Sequence, residues 1–102
     1  MRQSYTILDR SGRRWGSFVV HSEELGKKFG YLKATSEFGE VSGIFEEHAA
    51  LLSDGKCVEA ILQKIVDLGV LLIDNETGRT YKTRGEISID DNLLVSCVVF
   101  DS

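Results

Sequence analysis

The spacing of apolar residues changes twice along this chain of 102 residues, and each change predicts a new kind of secondary structure. Up to residue 34, apolar and polar residues alternate, which is the period of a β-strand. From Val41 to Leu68 the apolar residues recur every three or four positions, which is the period of an α-helix. After Gly69 the alternation returns. The predicted order is therefore strands, then helices, then strands.

Three strands are predicted before the first change. Residues 5–8 and 15–20 are rich in β-branched and aromatic side chains, and the turn-forming residues between them indicate a hairpin. Residues 28–34 alternate well enough for a third strand, with Phe29 and Tyr31 on one face. Together these strands are expected to form an antiparallel meander.

Two helices are predicted in the middle of the chain. The first carries an apolar stripe beside which His48 lies, and Ser42 is placed to cap its N-terminus. The second carries an apolar stripe from Val58 to Leu68 and ends at Gly69. Glycine is common just past a helix because it adopts a left-handed backbone conformation without steric cost.

Four strands are predicted after the helices, at residues 70–73, 79–84, 86–90 and 93–100. The second is polar, which is typical of an edge strand, and the last is the most apolar segment of the chain. Strands and helices do not alternate, so a parallel doubly wound sheet is not expected. The sequence predicts an α+β fold with an antiparallel or mixed sheet and two central helices packed on one face, in the order βββ-αα-ββββ.

Length and composition predict a single globular α+β domain spanning residues 1–102. The chain is 42% apolar and 27% charged, as in ordinary globular proteins, and it contains no proline-rich linker. No apolar stretch is long enough for a signal peptide or a membrane span, so we expect a cytoplasmic protein with no membrane association. Cys57 and Cys97 lack the spacing of a zinc site, and we expect both to be buried free thiols.

The formal net charge of -4 disfavours nucleic acid as a partner, because the phosphate backbone is also negative. Three basic clusters lie beside predicted turns: Arg10, Arg13 and Arg14; Lys27 and Lys28; and Arg79, Lys82 and Arg84. We interpret them as solvated turn residues in preference to a phosphate-binding face. Trp15, Phe29 and Tyr31 lie near several lysines, which leaves a stacking platform for single-stranded nucleic acid as a less favoured alternative.

Three residues are candidates for catalysis. His48 follows Glu47 on the first predicted helix, so an imidazole and a carboxylate could act together as acid and base. Cys57 lies near the start of the second helix, a position that lowers the pKa of a thiol and raises its reactivity. The favoured interpretation of both residues is structural, with a partly buried, hydrogen-bonded histidine and an inert thiol. No calcium or nucleotide motif is complete, and we expect no cofactor and no metal.

Two functional hypotheses follow from these features. The favoured one is a non-catalytic binding or adaptor module that contacts another protein or forms a homodimer, because the apolar strands offer more surface than two short helices cover. The other is a small-molecule-binding protein or weak enzyme with a site between the helices and the sheet. Glu47, His48 and Cys57 would form that site.

The short motifs of the chain are Trp15-Gly16-Ser17-Phe18, Phe29-Gly30-Tyr31, and Ile44-Phe45-Glu46-Glu47 leading to Leu68-Gly69. Together they resemble a loose pattern in short bacterial proteins of the orphan or mobile gene-cassette type, for which no activity is established. The pattern covers most of the chain up to Gly69. The resemblance implies a bacterial source and assigns no functional residues.

Overall fold

The computed structural model describes residues 3–101 and confirms the predicted α+β class. Within these residues, three strands are followed by a short 3-10 helix, two α-helices and five further strands. The elements are β1 Ser4–Leu8, β2 Arg14–Glu24, β3 Lys27–Ala34, the 3-10 helix Ser36–Glu40, α1 Ser42–Ser53, α2 Glu59–Leu68, β4 Leu71–Asp74, β5 Thr80–Lys82, β6 Ile87–Ile89, β7 Leu94–Val98 and β8 Phe100–Asp101.

The eight strands form one antiparallel sheet, in the order β6-β7-β3-β2-β1-β4-β5-β8. The two ends of this order are joined through the chain itself, because β5 and β6 follow one another and pair with β8 and β7, respectively. Only Val99 separates β7 from β8. The sheet is therefore curled, with β6 and β8 as its end strands and the chain itself linking the two ends.

The C-terminal hairpin explains two differences from the sequence prediction. Lys82 pairs with Phe100 and Ile87 pairs with Cys97, so four residues on one strand lie opposite two on the other. Such a bulge bends both strands, which divides the predicted last strand into β7 and β8. The prediction that residues 79–84 form an edge strand is wrong, because β5 lies between β4 and β8.

The core lies on the concave face of the sheet, where both helices contribute side chains. Phe45 of α1 and Ile65 of α2 belong to the same buried cluster as the inward-facing residues of β1, β2, β3 and β7. The ring centroid of Trp15 lies 5.4 Å from that of Phe45 and 5.6 Å from that of Phe38. Aromatic pairs at these separations stabilise a core beyond the area they bury. None of the helices within residues 3–101 has the length and apolar character needed to cross a bilayer.

The helix ends confirm one prediction and correct another. Gly69 ends α2 with a φ of 63°, in the left-handed conformation that favours glycine. Ser42, predicted to cap α1, is instead its first helical residue, and its hydroxyl donates to the carbonyl oxygen of Gly39 at 3.2 Å. Only Val41 separates the 3-10 helix from α1, and the N-terminus of α1 has no capping hydrogen bond from a side chain.

Candidate functional site

The structure does not bring the three catalytic candidates together. Glu47 and Cys57 are exposed, and neither lines the clefts described below. His48 is only 6% exposed and lies on the side of α1 that faces β6. Adjacent residues of a helix do not face one another, which explains why Glu47 points away from the imidazole of His48.

The two cysteines differ in their surroundings, and neither forms a disulfide. Cys97 is buried on β7, and this burial raises the pKa of its thiol to about 12. Cys57 is exposed in the segment before α2, so the expectation that both thiols are buried is wrong for this residue. Two apolar neighbours, Val58 and Ile61, take the stripe positions of α2, and the cysteine is left outside it.

We therefore expect iodoacetamide to modify Cys57 in the native protein and to leave Cys97 unmodified, because a buried thiol with a raised pKa is rarely a thiolate. Peptide mass spectrometry after timed labelling measures both sites. In urea both cysteines should react, which is the control. Equal labelling of the two in the native protein would contradict the buried position of β7.

We name as the His48 groove the space between α1 and the outer face of β3, β7 and β6. It consists of two adjoining clefts of about 270 and 180 Å³, which share His48, Leu52, Ser88 and Ser96. Ser88 and Ser96 are direct cross-strand neighbours, and their hydroxyl oxygens lie 2.6 Å apart. Apolar side chains, including Phe29 and Leu94, form the walls.

Burial lowers the pKa of His48 below the ordinary value for histidine, so its imidazole is neutral at neutral pH. A neutral imidazole carries one N–H donor and one nitrogen acceptor. Among the hydrogen bonds of residues 3–101, none engages either nitrogen of His48. Because every fully buried side-chain nitrogen or oxygen in these residues has a partner, the imidazole nitrogens are reached by solvent, and His48 lines the groove with a donor and an acceptor available to a ligand.

A larger cleft of about 580 Å³ lies on the outer face of the sheet, below the C-terminus of α2. Its floor is a row of cross-strand neighbours, because Leu8 of β1 pairs with Leu71 of β4, which in turn pairs with Lys82 of β5. Directly opposed residues of an antiparallel sheet point to the same side. The row is therefore apolar at one end and cationic at the other.

Three basic residues line this space, which we name the basic cleft: Arg10, Lys82 and Arg84. Arg10 lies in the loop after β1, and its side chain covers Gly69, where a Cβ atom would come within 2.9 Å of the arginine Nε. The guanidinium carbon of Arg84 lies 4.7 Å from the centroid of the Phe100 ring. Within residues 3–101, the ion pairs include none of the three cations.

Asp9 is the acidic residue that lines the basic cleft, but its carboxylate is already engaged. It accepts five hydrogen bonds, including one from the indole Nε1 of Trp15 at 3.1 Å and one from the guanidinium of Arg13 at 3.0 Å. Burial alone would raise the pKa of Asp9, yet the bonds from Ser11, Trp15 and Arg13 outweigh it and hold that pKa below its usual range. The charge of Asp9 is thus balanced by Arg13.

The backbone is strained where Arg84 enters the cleft. Arg84 has a φ of 51° and Gly85 a φ of 82°, so two consecutive residues are left-handed. A Cβ atom on Gly85 would lie 2.6 Å from Cγ2 of Val66, so only glycine lets this segment approach α2. Left-handed conformations of other residues cost about 1–2 kcal/mol and cluster at ligand sites.

Among residues 3–101, there is no group of three or more histidine, cysteine, aspartate or glutamate residues that could hold a metal ion. No family model, curated protein or solved structure matches the chain. The resemblance to short bacterial proteins stays a prediction. The two clefts are therefore the basis for assigning a function.

The sequence did not indicate the basic cleft, since Arg10 and the pair Lys82 and Arg84 belong to different basic clusters, each interpreted as solvated turn residues. They meet because β4 pairs with β1 on one side and with β5 on the other. A local signal existed in Gly85, which lies between two predicted strands, where glycine often marks a turn or a bulge.

Proposed function

We propose that the protein is a small-molecule-binding protein and that its ligand, a small organic anion, occupies the basic cleft. The observation that carries this proposal is the convergence of Arg10, Lys82 and Arg84 in one cleft without a carboxylate paired to any of them. Unpaired cations brought together from separate segments repel one another. An anion between them would remove that repulsion.

The shape of the basic cleft supports the same ligand class. Its volume of about 580 Å³ lies within the range of about 300–1,000 Å³ that is usual for small-molecule sites. Leu8 and Leu71 offer an apolar floor, while the guanidinium groups of Arg10 and Arg84 can each form paired hydrogen bonds to a carboxylate or phosphate. The expected ligand has an apolar body and one terminal acidic group.

The homodimer hypothesis stays a prediction, but the feature that motivated it has another explanation. The apolar residues Val95 and Cys97 of the last long strand are buried in the core of this same chain. β7 also pairs on both sides, with β3 and with β6. The inward-facing part of its apolar surface therefore needs no second copy to cover it.

Titration calorimetry with phenyl phosphate tests the proposal. We expect Lys82→Glu to weaken binding by about tenfold or more, because it replaces an attraction within the cleft by a repulsion. Lys33→Glu is the matched control, since Lys33 is also an exposed strand lysine, carries the same charge and does not line the basic cleft. Its affinity should stay close to that of the unaltered protein.

Two results would overturn the proposal. The first is an absence of binding heat with the unaltered protein at millimolar phenyl phosphate. The second is an equal loss of affinity in the two variants, which would mean that net charge and not the cleft attracts the anion. Raising the salt concentration should weaken binding of phenyl phosphate, because exposed cations are screened.

A further inference from the structure

We infer that the His48 groove is a second ligand site, distinct from the basic cleft, whose ligand is a neutral molecule with an amide or hydroxyl group on an apolar body. This inference does not depend on the proposed anion site. The groove and the basic cleft share only Gly85, which lies at the edge of the smaller groove compartment and at the rim of the basic cleft.

The first observation is the state of His48 itself. The residue is nine-tenths buried, it lines both compartments of the groove, and its imidazole has no hydrogen-bond partner among residues 3–101. Every fully buried side-chain nitrogen or oxygen in this part of the chain has a hydrogen-bond partner, so the imidazole nitrogens, which have none, are reached by solvent where His48 lines the groove. A ligand that fills the groove would take the place of that solvent as their hydrogen-bond partner.

The second observation is the hydroxyl pair opposite the histidine. Ser88 and Ser96 share one hydrogen bond at 2.6 Å, which uses the proton of only one of the two hydroxyls. The other hydroxyl proton remains free to donate. The neutral imidazole adds one N–H donor and one acceptor nitrogen. The middle of the groove therefore offers hydrogen-bond donors and acceptors but no charged side chain. An amide group presents the complementary donors and acceptors in a single unit.

The walls and ends of the groove select the rest of the ligand. Leu52 is 55% exposed and Leu94 is 37% exposed at its rim, and an apolar body lying between them would cover both. Asp90 lies at one end, and Glu86 lies beside Lys27 at the other. Carboxylates at both ends disfavour an anion, so the two clefts are expected to take ligands of different charge.

The variant His48→Leu separates the polar contact from the packing of the groove. Leucine keeps about the size of the side chain and removes the donor and the acceptor that an amide would use. No hydrogen bond among residues 3–101 is lost with the imidazole, so any loss of ligand binding is attributable to the groove itself.

The test uses benzamide and benzoate, which share one ring and differ in charge. We expect millimolar benzamide to shift the amide resonances of Ser88 and Ser96 in two-dimensional NMR spectra, and benzoate to leave them in place. His48→Leu should abolish these shifts. Lys82→Glu, altered only in the basic cleft, should retain them, so the two sites fail or succeed separately.

The inference is overturned if benzamide shifts neither serine resonance in the unaltered protein, or if His48→Leu keeps the shifts. Should that variant not fold, Ser88→Ala provides the same test, since it removes one hydroxyl of the pair and is expected to weaken the benzamide shifts severalfold.

Discussion

Gly30→Ala is expected to unfold the protein or to leave it barely folded. Gly30 lies on β3 opposite Val20 of β2, where a Cβ atom would overlap the carbonyl oxygen of Val19 and approach Cε1 of Phe18 to 2.8 Å. The oxygen belongs to the backbone of the neighbouring strand and cannot move without breaking the pairing of β2 and β3. Forced overpacking of this kind costs about 3 kcal/mol or more, a large part of the stability of a small domain.

Urea unfolding followed by circular dichroism measures the effect of Gly30→Ala. Gly43→Ala is the matched control, because Gly43 is an exposed residue of α1 and a Cβ atom there meets nothing within 4 Å. Alanine favours a helix over glycine by about 0.5–1 kcal/mol, so this control should be slightly more stable than the unaltered protein. A Gly30→Ala protein with an unchanged midpoint would contradict the close approach of β2 and β3.

Asp9→Ala is expected to destabilise the protein by about 3 kcal/mol, because it removes the acceptor for several buried donors at once. The indole Nε1–H of Trp15, a fully buried core residue, would lose its partner, and the loop that carries Arg10 would lose the bonds to Ser11 and Arg13. The urea midpoint measures this loss. Asp9→Asn should lose less, since its amide oxygen can still accept from the indole.

The same carboxylate predicts a pH dependence of stability. The folded-state pKa of Asp9 is lowered, while the unfolded-state value is about 3.9. Its stabilising contribution is therefore complete above that pH and is lost as the pH falls through the folded-state pKa. We expect the difference in urea midpoint between the unaltered protein and Asp9→Asn to shrink below pH 4. A difference that grows on acidification would show that Asp9 is not a stabilising anion.

Local patterns were sufficient to predict most elements of this fold, but not the 3-10 helix or the division of the last strand into β7 and β8. Alternation marked β1 to β3, the three-to-four spacing marked both helices, and Gly69 ended α2 as a left-handed residue. Pairing between distant strands was not predictable, because the period of a strand states which side chains share a face but not which strand lies beside it. The assignment of residues 79–84 to an edge failed for this reason.

The candidate sites show the same division. The position of His48 near an apolar stripe favours a partly buried, hydrogen-bonded side chain. The structure shows the burial, but none of the hydrogen bonds among residues 3–101 engages the imidazole. The sequence did not indicate that Ser88 and Ser96 line the same groove, because they become neighbours only through the register of β6 and β7. The basic cleft depends on still longer-range pairing, which joins the loop after β1 to the segment after β5.

Docking of the last segment also determines when the strand edges of this sheet stop being available for self-association. Until Leu94–Val98 and Phe100–Asp101 are in place, β3, β5 and β6 each present a row of unpaired backbone groups to other chains. Once these two strands dock, the backbone groups of β3, β5 and β6 that face them are hydrogen-bonded within the chain. Aggregation should therefore be a hazard of partly assembled molecules, and chaperones that shield strand edges would act on this protein before, and not after, that final docking.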